Sequence, residues 1–253
     1  MPEAVLQIET DAGHGVRRLL LDRPSCGNAL SADLVAALAE AIDACIRDDV
    51  RRLVIEGAGR HFCTGMDLSG LDEETDDSLL ARFVRIELLL QAVHQAPFET
   101  VAIAHGRAAG AGADLFAACR RRLIRGDASF AFPGAAGFGL VLGTRRLATL
   151  VGGDTAQAWI RSGCWIEADG ALAAGLAHAR IDAVESLEVP SAHPPDPRTQ
   201  LLLAQAMQDP RTADLDLALL ARSAARPGLK QRIQEYAARV QAQLRAQLVD
   251  AVG

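Results

Sequence analysis

The chain has 253 residues, half of them hydrophobic but only 4% aromatic, and a net charge of −6 at pH 7. That length suits one large α/β domain with a small appendage, built around an aliphatic, Ala-rich core. The acidic balance argues against nucleic acid as a main partner. No apolar run approaches the roughly 18 residues of a membrane span, and Met1-Pro2-Glu3-Ala4 does not begin a signal-peptide pattern.

Residues 5–8 and 16–21 read as strands joined by the turn Asp11-Ala12-Gly13-His14-Gly15. Ser31 is placed to cap a helix with Leu34, Val35, Leu38, Ile42, Cys45 and Ile46 on one face. The apolar run Leu53-Val54-Ile55 reads as a buried strand and leads into a Gly-rich turn over residues 57–69. A second helix is expected over residues 78–95, with Leu79, Phe83, Ile86, Leu90 and Val93 inward and Arg82, Arg85 and Glu87 outward.

A strand over 101–104 then enters a second Gly-rich turn, residues 105–114, and its helix. Strands follow near Leu123-Ile124 and over 130–132. Asp127 belongs to the turn Gly126-Asp127-Ala128, and Asp154 is expected to cap a helix over 155–161. A short strand over 176–181 closes this part.

The domain boundaries expected are a core over 1–188, a Pro-rich linker over 189–198 and a helical region over 199–253. Within that region helices are expected over 199–208, 215–225 and 229–249. The last carries Leu229, Ile233, Tyr236, Val240, Leu244 and Leu248 as one apolar stripe, which must cover either the core or a neighbouring subunit.

The two Gly-rich turns carry the chemistry. Each follows a buried strand, and each is built from residues small enough to let a ligand approach the main chain. Two such turns can aim two backbone N–H groups at one point as an oxyanion hole, where each donor is worth about 3–4 kcal/mol of transition-state stabilisation. Two ligand-free strand-to-helix turns are the alternative.

Arg23-Pro24 followed by Asn28-Ala29-Leu30-Ser31, then His61-Phe62-Cys63-Thr64-Gly65-Met66-Asp67-Leu68, the run from Gly106 to Asp114 and Phe130-Ala131-Phe132-Pro133 resemble the crotonase (enoyl-CoA hydratase/isomerase) superfamily. The resemblance spans about residues 5–181. It implies an α/β spiral β-superhelix of repeated ββα units with C-terminal helices; periodicity alone also allows a doubly wound sheet.

By that resemblance, the N–H groups of Met66 and Ala111 hold a thioester oxygen, and Asp114 stands where family hydratases carry one of two catalytic glutamates. Gly134 stands where the second belongs, which favours isomerisation, dehydration or decarboxylation over simple hydration. Arg120 also replaces a family Asp, and the segment before Thr144 is two residues short. Arg23, Asn28, Ala29, Arg60, Cys63, Gly65 and Gly110 are the candidates for binding coenzyme A, which enters as part of the substrate with no tightly bound cofactor.

The implied partners are an acyl-CoA or acyl-carrier thioester and further copies of the chain, as a homotrimer or homohexamer. The rival reading is a non-catalytic acyl-CoA binder or scaffold of the same fold.

Other features read more plainly. Five scattered cysteines without C-x-x-C spacing point to a reducing cytoplasm, with Cys63 a packing residue, and no metal-ligand spacing is present. His61 reads as a ring at the pocket rim. Arg120-Arg121-Arg122 reads as strand surface or a subunit contact. The acidic stretch over 72–77 reads as a solvated loop whose acids favour the N-terminus of the next helix or, alternatively, as the source of a replacement carboxylate.

Overall fold

The computed structural model describes residues 5–182 and 211–250, with Thr199 and Leu202 between them. β1 (Leu6–Asp11) pairs antiparallel with β2 (Val16–Leu21), and β2, β3 (Arg52–Gly57), β4 (Glu99–Ala109) and β5 (Arg121–Ala131) lie parallel in chain order. Parallel neighbours need crossovers, supplied by α1 (Ala32–Arg47), α2 (Asp76–Gln95) and α3 (Ala111–Ala118). β6 (Ile166–Glu167) and β7 (Ala179–Ile181) both pair with β5.

The ββα repeat is visible in the pairing. After β2 comes a bridge from Leu30 to Met66 and then α1; after β3 comes a bridge from Cys63 to Ala108 and then α2. In the third unit the two segments are fused: β4 runs through both, with its register broken between Ala104 and Gly106. The expected strands near 123–124 and 130–132 are likewise one strand, β5. The Gly126-Asp127 turn survives inside it as a bulge, with Gly126 at φ +64°.

Ser31 caps α1 by accepting a hydrogen bond from Leu34 N–H, and the expected face is buried except for Ile46, which is exposed at the helix end. Thr75 and Ser78 form a reciprocal capping box, so α2 begins at Asp76 rather than Ser78. Glu87, expected on the outer face of α2, is 1% exposed. It lies four residues beyond Phe83 and so inside the apolar stripe.

Arg122 is not strand surface either. It is buried, and its guanidinium donates to the carbonyls of Cys119 and Leu176.

Beyond β5 the chain forms α4 (Gly134–Phe138), α5 (Thr144–Val151), α6 (Gly153–Ser162) and α7 (Ala168–Ala173), then α8 (Arg211–Ala224) and α9 (Leu229–Asp250). Asp154 does not cap α6: Gly152 holds the cap position and Asp154 sits in the first turn. The expected linker lies outside the described residues, as does the 199–208 helix apart from helical Thr199 and Leu202.

α9 folds back over its own core. Leu229 and Ile233 are buried and Tyr236 packs on Gly137 and Phe138, whereas Val240 is half-buried and Leu244 exposed. The acidic stretch anchors it. Asp76 accepts hydrogen bonds from Gly228 and Lys230 N–H at the start of α9, Asp72 meets Lys230 and Gln234, and Glu74 pairs with Arg82. The stretch is as exposed as expected at Asp72, Glu73 and Asp77, and Asp76 and Asp77 stand in the first turn of α2, but it also anchors α9. Among the described residues no helix is long and apolar enough to cross a membrane.

Candidate active site

The two Gly-rich turns meet. Cys63 N–H donates to Arg107 C=O and Ala109 N–H donates to Cys63 C=O, which lays the first turn along the second. Gly112 has no room for a side chain, because a β-carbon there would strike the Cys63 carbonyl. Gly65 sits at φ +102°, and a β-carbon on it would fall 2.8 Å from Ala109 O and 3.7 Å from Ala111 N. Small residues at these positions are what lets the two backbones close up.

That closure decides which N–H groups remain open. The Leu30–Met66 bridge uses the carbonyl of Gly65 and the N–H of Asp67, so Met66 N–H projects from the opposite edge. Gly110 N–H is taken by Ala131 O, and Asp114 N–H closes the first bond of α3 on Gly110 O. Ala111 N–H then opens the helix, where no intrahelical acceptor exists and no side chain caps it. Among the described residues neither Met66 nor Ala111 N–H has a backbone acceptor.

Both residues line a cavity of about 110 Å³ with Gly65, Gly110, Asp114 and Gly134. A single water needs about 10–15 Å³ by this measure, so the space admits a short chain. Asp114 is the one carboxylate among the described residues of the wall. It is 4% exposed and its Oδ1 has no hydrogen-bond partner. Burial pushes its carboxyl up to about 8, against the pull of Arg146 and with a smaller push from Glu87.

Gly134 leaves the wall bare where the resemblance puts a second carboxylate. Among the described residues a β-carbon there would meet only Leu140, at 3.3 Å from its carbonyl oxygen. Tyr236 of α9 closes another side.

The remaining candidates lie beside this cavity rather than on it. Arg23 is engaged internally: its guanidinium pairs with Asp67 at 2.8 Å and donates to Ala29 O at 2.5 Å. Asn28, at φ +56°, staples the first turn by donating to Ala58 O and His61 O while accepting from Arg23 N–H. Arg60 is exposed. Cys63 is buried, and burial pushes its thiol up to about 12, as suits packing rather than attack.

His61, which sequence left without a partner, accepts a hydrogen bond from Arg107 N–H on Nδ1. Burial, then the charges of Arg107 and Arg60, hold its pKa below the usual histidine value.

Sequence reasoning missed what stands behind Asp114. Arg146 of α5 forms a bidentate pair with Glu87, at 2.8 and 2.7 Å, with both side chains almost wholly buried. Asp216 of α8 lies 3.6 Å from Arg146 and accepts two hydrogen bonds from Arg145. The signal available was Glu87 in the apolar stripe of α2, a buried charge that demands a partner.

A family model described as enoyl-CoA hydratase/isomerase matches residues 11–191. "Probable enoyl-CoA hydratase echA6" of Mycobacterium tuberculosis is 36% identical over 180 residues, which is 70% of this chain and 67% of that protein. A peroxisomal Delta(3,5)-Delta(2,4)-dienoyl-CoA isomerase of Arabidopsis thaliana is 30% identical over 139 residues, about half of each chain (50% and 49%). A crystal structure of an enoyl-CoA hydratase/isomerase-type protein from Bordetella parapertussis superposes with a TM-score of 0.85 at 40% identity, covering 93% of this chain and 99% of that one.

Proposed function

The chain belongs to the enoyl-CoA hydratase/isomerase family of the crotonase superfamily, and on that premise we propose that it acts on an acyl-CoA thioester through an enolate, with one carboxylate moving the proton. Met66 and Ala111 N–H would accept the charge that develops on the thioester oxygen, as two open main-chain donors beside one cavity are suited to do. Asp114 would take the proton from one carbon and return it. A carboxyl that titrates near neutrality is matched to both halves of such a transfer.

The observation that carries this reading is the buried, unpartnered carboxyl of Asp114 on the cavity where the two turns meet. Bare Gly134 favours a reaction that needs one carboxylate, an isomerisation, dehydration or decarboxylation, over simple hydration. Backbone around Asn28, Ala29, Gly65 and Gly110, with Arg60 at the surface, would receive the coenzyme A portion. The 199–253 region as a helical cap and assembly as a homotrimer or homohexamer in the cytoplasm complete the proposal, and light scattering at micromolar concentration tests the assembly.

The direct test is exchange of the acyl α-proton in deuterated water across a panel of acyl-CoA thioesters. Wild type is expected to exchange at least one, and Asp114→Asn to slow that exchange by about 10²-fold or more with thioester affinity nearly unchanged. A wild type that binds thioesters and exchanges none would instead be a binder or scaffold.

A further inference from the structure

Three buried charged side chains, Asp114, Glu87 and Arg146, come from three different helices, and only two of them pair. Arg146 directs Nη1 and Nη2 at Glu87, while Asp114 keeps an oxygen without a partner and forms no ion pair with the guanidinium. A carboxylate fully paired with arginine is held ionised and loses its use as a proton carrier. We propose that Glu87 is a positioning residue for Asp114: by gripping both ends of Arg146 it keeps the buried cation off the cavity carboxyl and leaves Asp114 free to take up and release a proton. This rests on the reading of Asp114 as the proton carrier.

The surroundings agree with that division of roles. α3 packs against α2, β4, β5 and α5, and the charged groups that act on Asp114 are Arg146 of α5 and Glu87 of α2; His94 of α2 in turn feels Arg146 and Arg145 of α5. Asp216 of α8 acts at second remove, drawing Arg145 wholly and Arg146 in part. His94 is held below the usual histidine pKa by burial and then by Arg146, which disfavours its charged form. The cation whose charge reaches Asp114 is Arg146, and Glu87 takes both of its Nη groups while its buried Nε is left without a partner. The pair is nearly charge-neutral, which leaves burial as the main influence on the Asp114 carboxyl.

The test reads the carboxyl itself, without substrate. With aspartate labelled by ¹³C at the carboxyl, Asp114→Asn identifies the Asp114 resonance, and its titration is followed in wild type, Glu87→Gln and the double variant Glu87→Gln/Arg146→Gln. Glu87→Gln is expected to lower the midpoint by at least one pH unit, about a tenfold loss of proton affinity, because it removes a repelling charge and frees Arg146. The double variant removes cation and anion together and is expected to keep the wild-type midpoint within half a unit.

Should Glu87→Gln fail to fold, Glu87→Asp keeps the charge but loosens the bidentate grip, and a fall in midpoint is expected there too. An unchanged midpoint in the single variant, or an equal fall in single and double variants, overturns the proposal. α-Proton exchange by Asp114→Asn at the wild-type rate would overturn the role of Asp114 instead, and that result is read separately from the titration.

Discussion

Gly143 and Asp114 share one space: a β-carbon on Gly143 would overlap Oδ1 of the Asp114 carboxyl. Gly143 also holds φ +64°, a left-handed conformation that costs an L-residue about 1–2 kcal/mol. Gly143→Ala should therefore meet two penalties, backbone strain and an overpacked site, together about 2–4 kcal/mol. In a domain of this size that is a fall in Tm of about 5–15 °C. Combining it with Asp114→Ala separates the two, because the second change empties the contested space. The double variant should recover the overpacking part in a double-mutant cycle, and strict additivity would mean that Gly143 does not shape the carboxyl's position.

The buried carboxyl also sets a pH dependence. Asp114 titrates at about 8 in the folded protein, whereas in the unfolded chain it returns to the ordinary aspartate value of 3.8. Between those two values the folded state holds a proton that the unfolded state has released, so stability falls as pH rises from about 4 to about 8. Below that window Asp114 exerts no penalty; above it the penalty is complete. Asp114→Asn has no proton to lose, and its stability relative to wild type should grow across the window by roughly a few kcal/mol. Urea unfolding at a series of pH values measures this, and parallel curves for the two proteins would show that the carboxyl ionises without cost.

What the sequence disclosed and what it hid follow the range of the interactions. The Gly-rich turns and the Ser31 cap are local, so spacing was enough to locate the two turns and suggest that they converge, while the resemblance to the family is what singled out Met66, Ala111 and Asp114 within them. Glu87 was assigned to the wrong face because its reason for burial, Arg146, lies 59 residues further on. Asp76 stands in the first turn of α2 as expected of this acidic stretch, but its second role was hidden because the partners, Gly228 and Lys230, lie more than 150 residues away. Arg122 read as surface because carbonyls, which leave no trace in a charge pattern, are what it satisfies. Long-range partners of buried charges were the illegible part.

Gly134 gives a gain-of-function test. Its backbone lies outside the left-handed region, and among the described residues a β-carbon there would touch only Leu140, at 3.3 Å from the carbonyl oxygen and 3.9 Å from Cβ. Gly134→Glu needs the Leu140 carbonyl to give by a few tenths of an ångström, and the folded variant would carry a second carboxylate beside Asp114 on the wall formed by the described residues. Wild type is expected to hydrate crotonyl-CoA poorly, and the variant to do so at least tenfold faster, a modest fraction of the about 10²–10⁴-fold that a positioned general base supplies. Hydration is followed by loss of the enoyl thioester absorbance. An efficient wild type would place a second carboxylate elsewhere, and a variant without gain would mean that the pocket differs by more than this side chain.

The first N–H groups of α9, the helix that walls the cavity, rest on one acid of α2. Asp76 accepts from Gly228 and Lys230 N–H, both at 2.8 Å, and these bonds draw its pKa below the usual aspartate value. Four and seven residues into the helix, Ile233 and Tyr236 line the cavity. Removing the acceptor leaves the first N–H groups of the helix without a partner and takes an acid from the positive end of its dipole. Asp76→Ala should thus loosen the beginning of α9 while the sheet keeps its stability. Amide hydrogen exchange should rise over residues 229–236 and stay unchanged in β3 and β4. Thioester affinity should weaken with it, because Tyr236 loses its seat on Gly137. The contribution of the carboxylate is present above the ordinary aspartate value of 3.8 and lost as pH falls through the depressed one, so wild type should come to exchange like the variant only below that ordinary value. Faster exchange spread evenly over the whole protein would show instead that Asp76 stabilises the fold at large and not this wall.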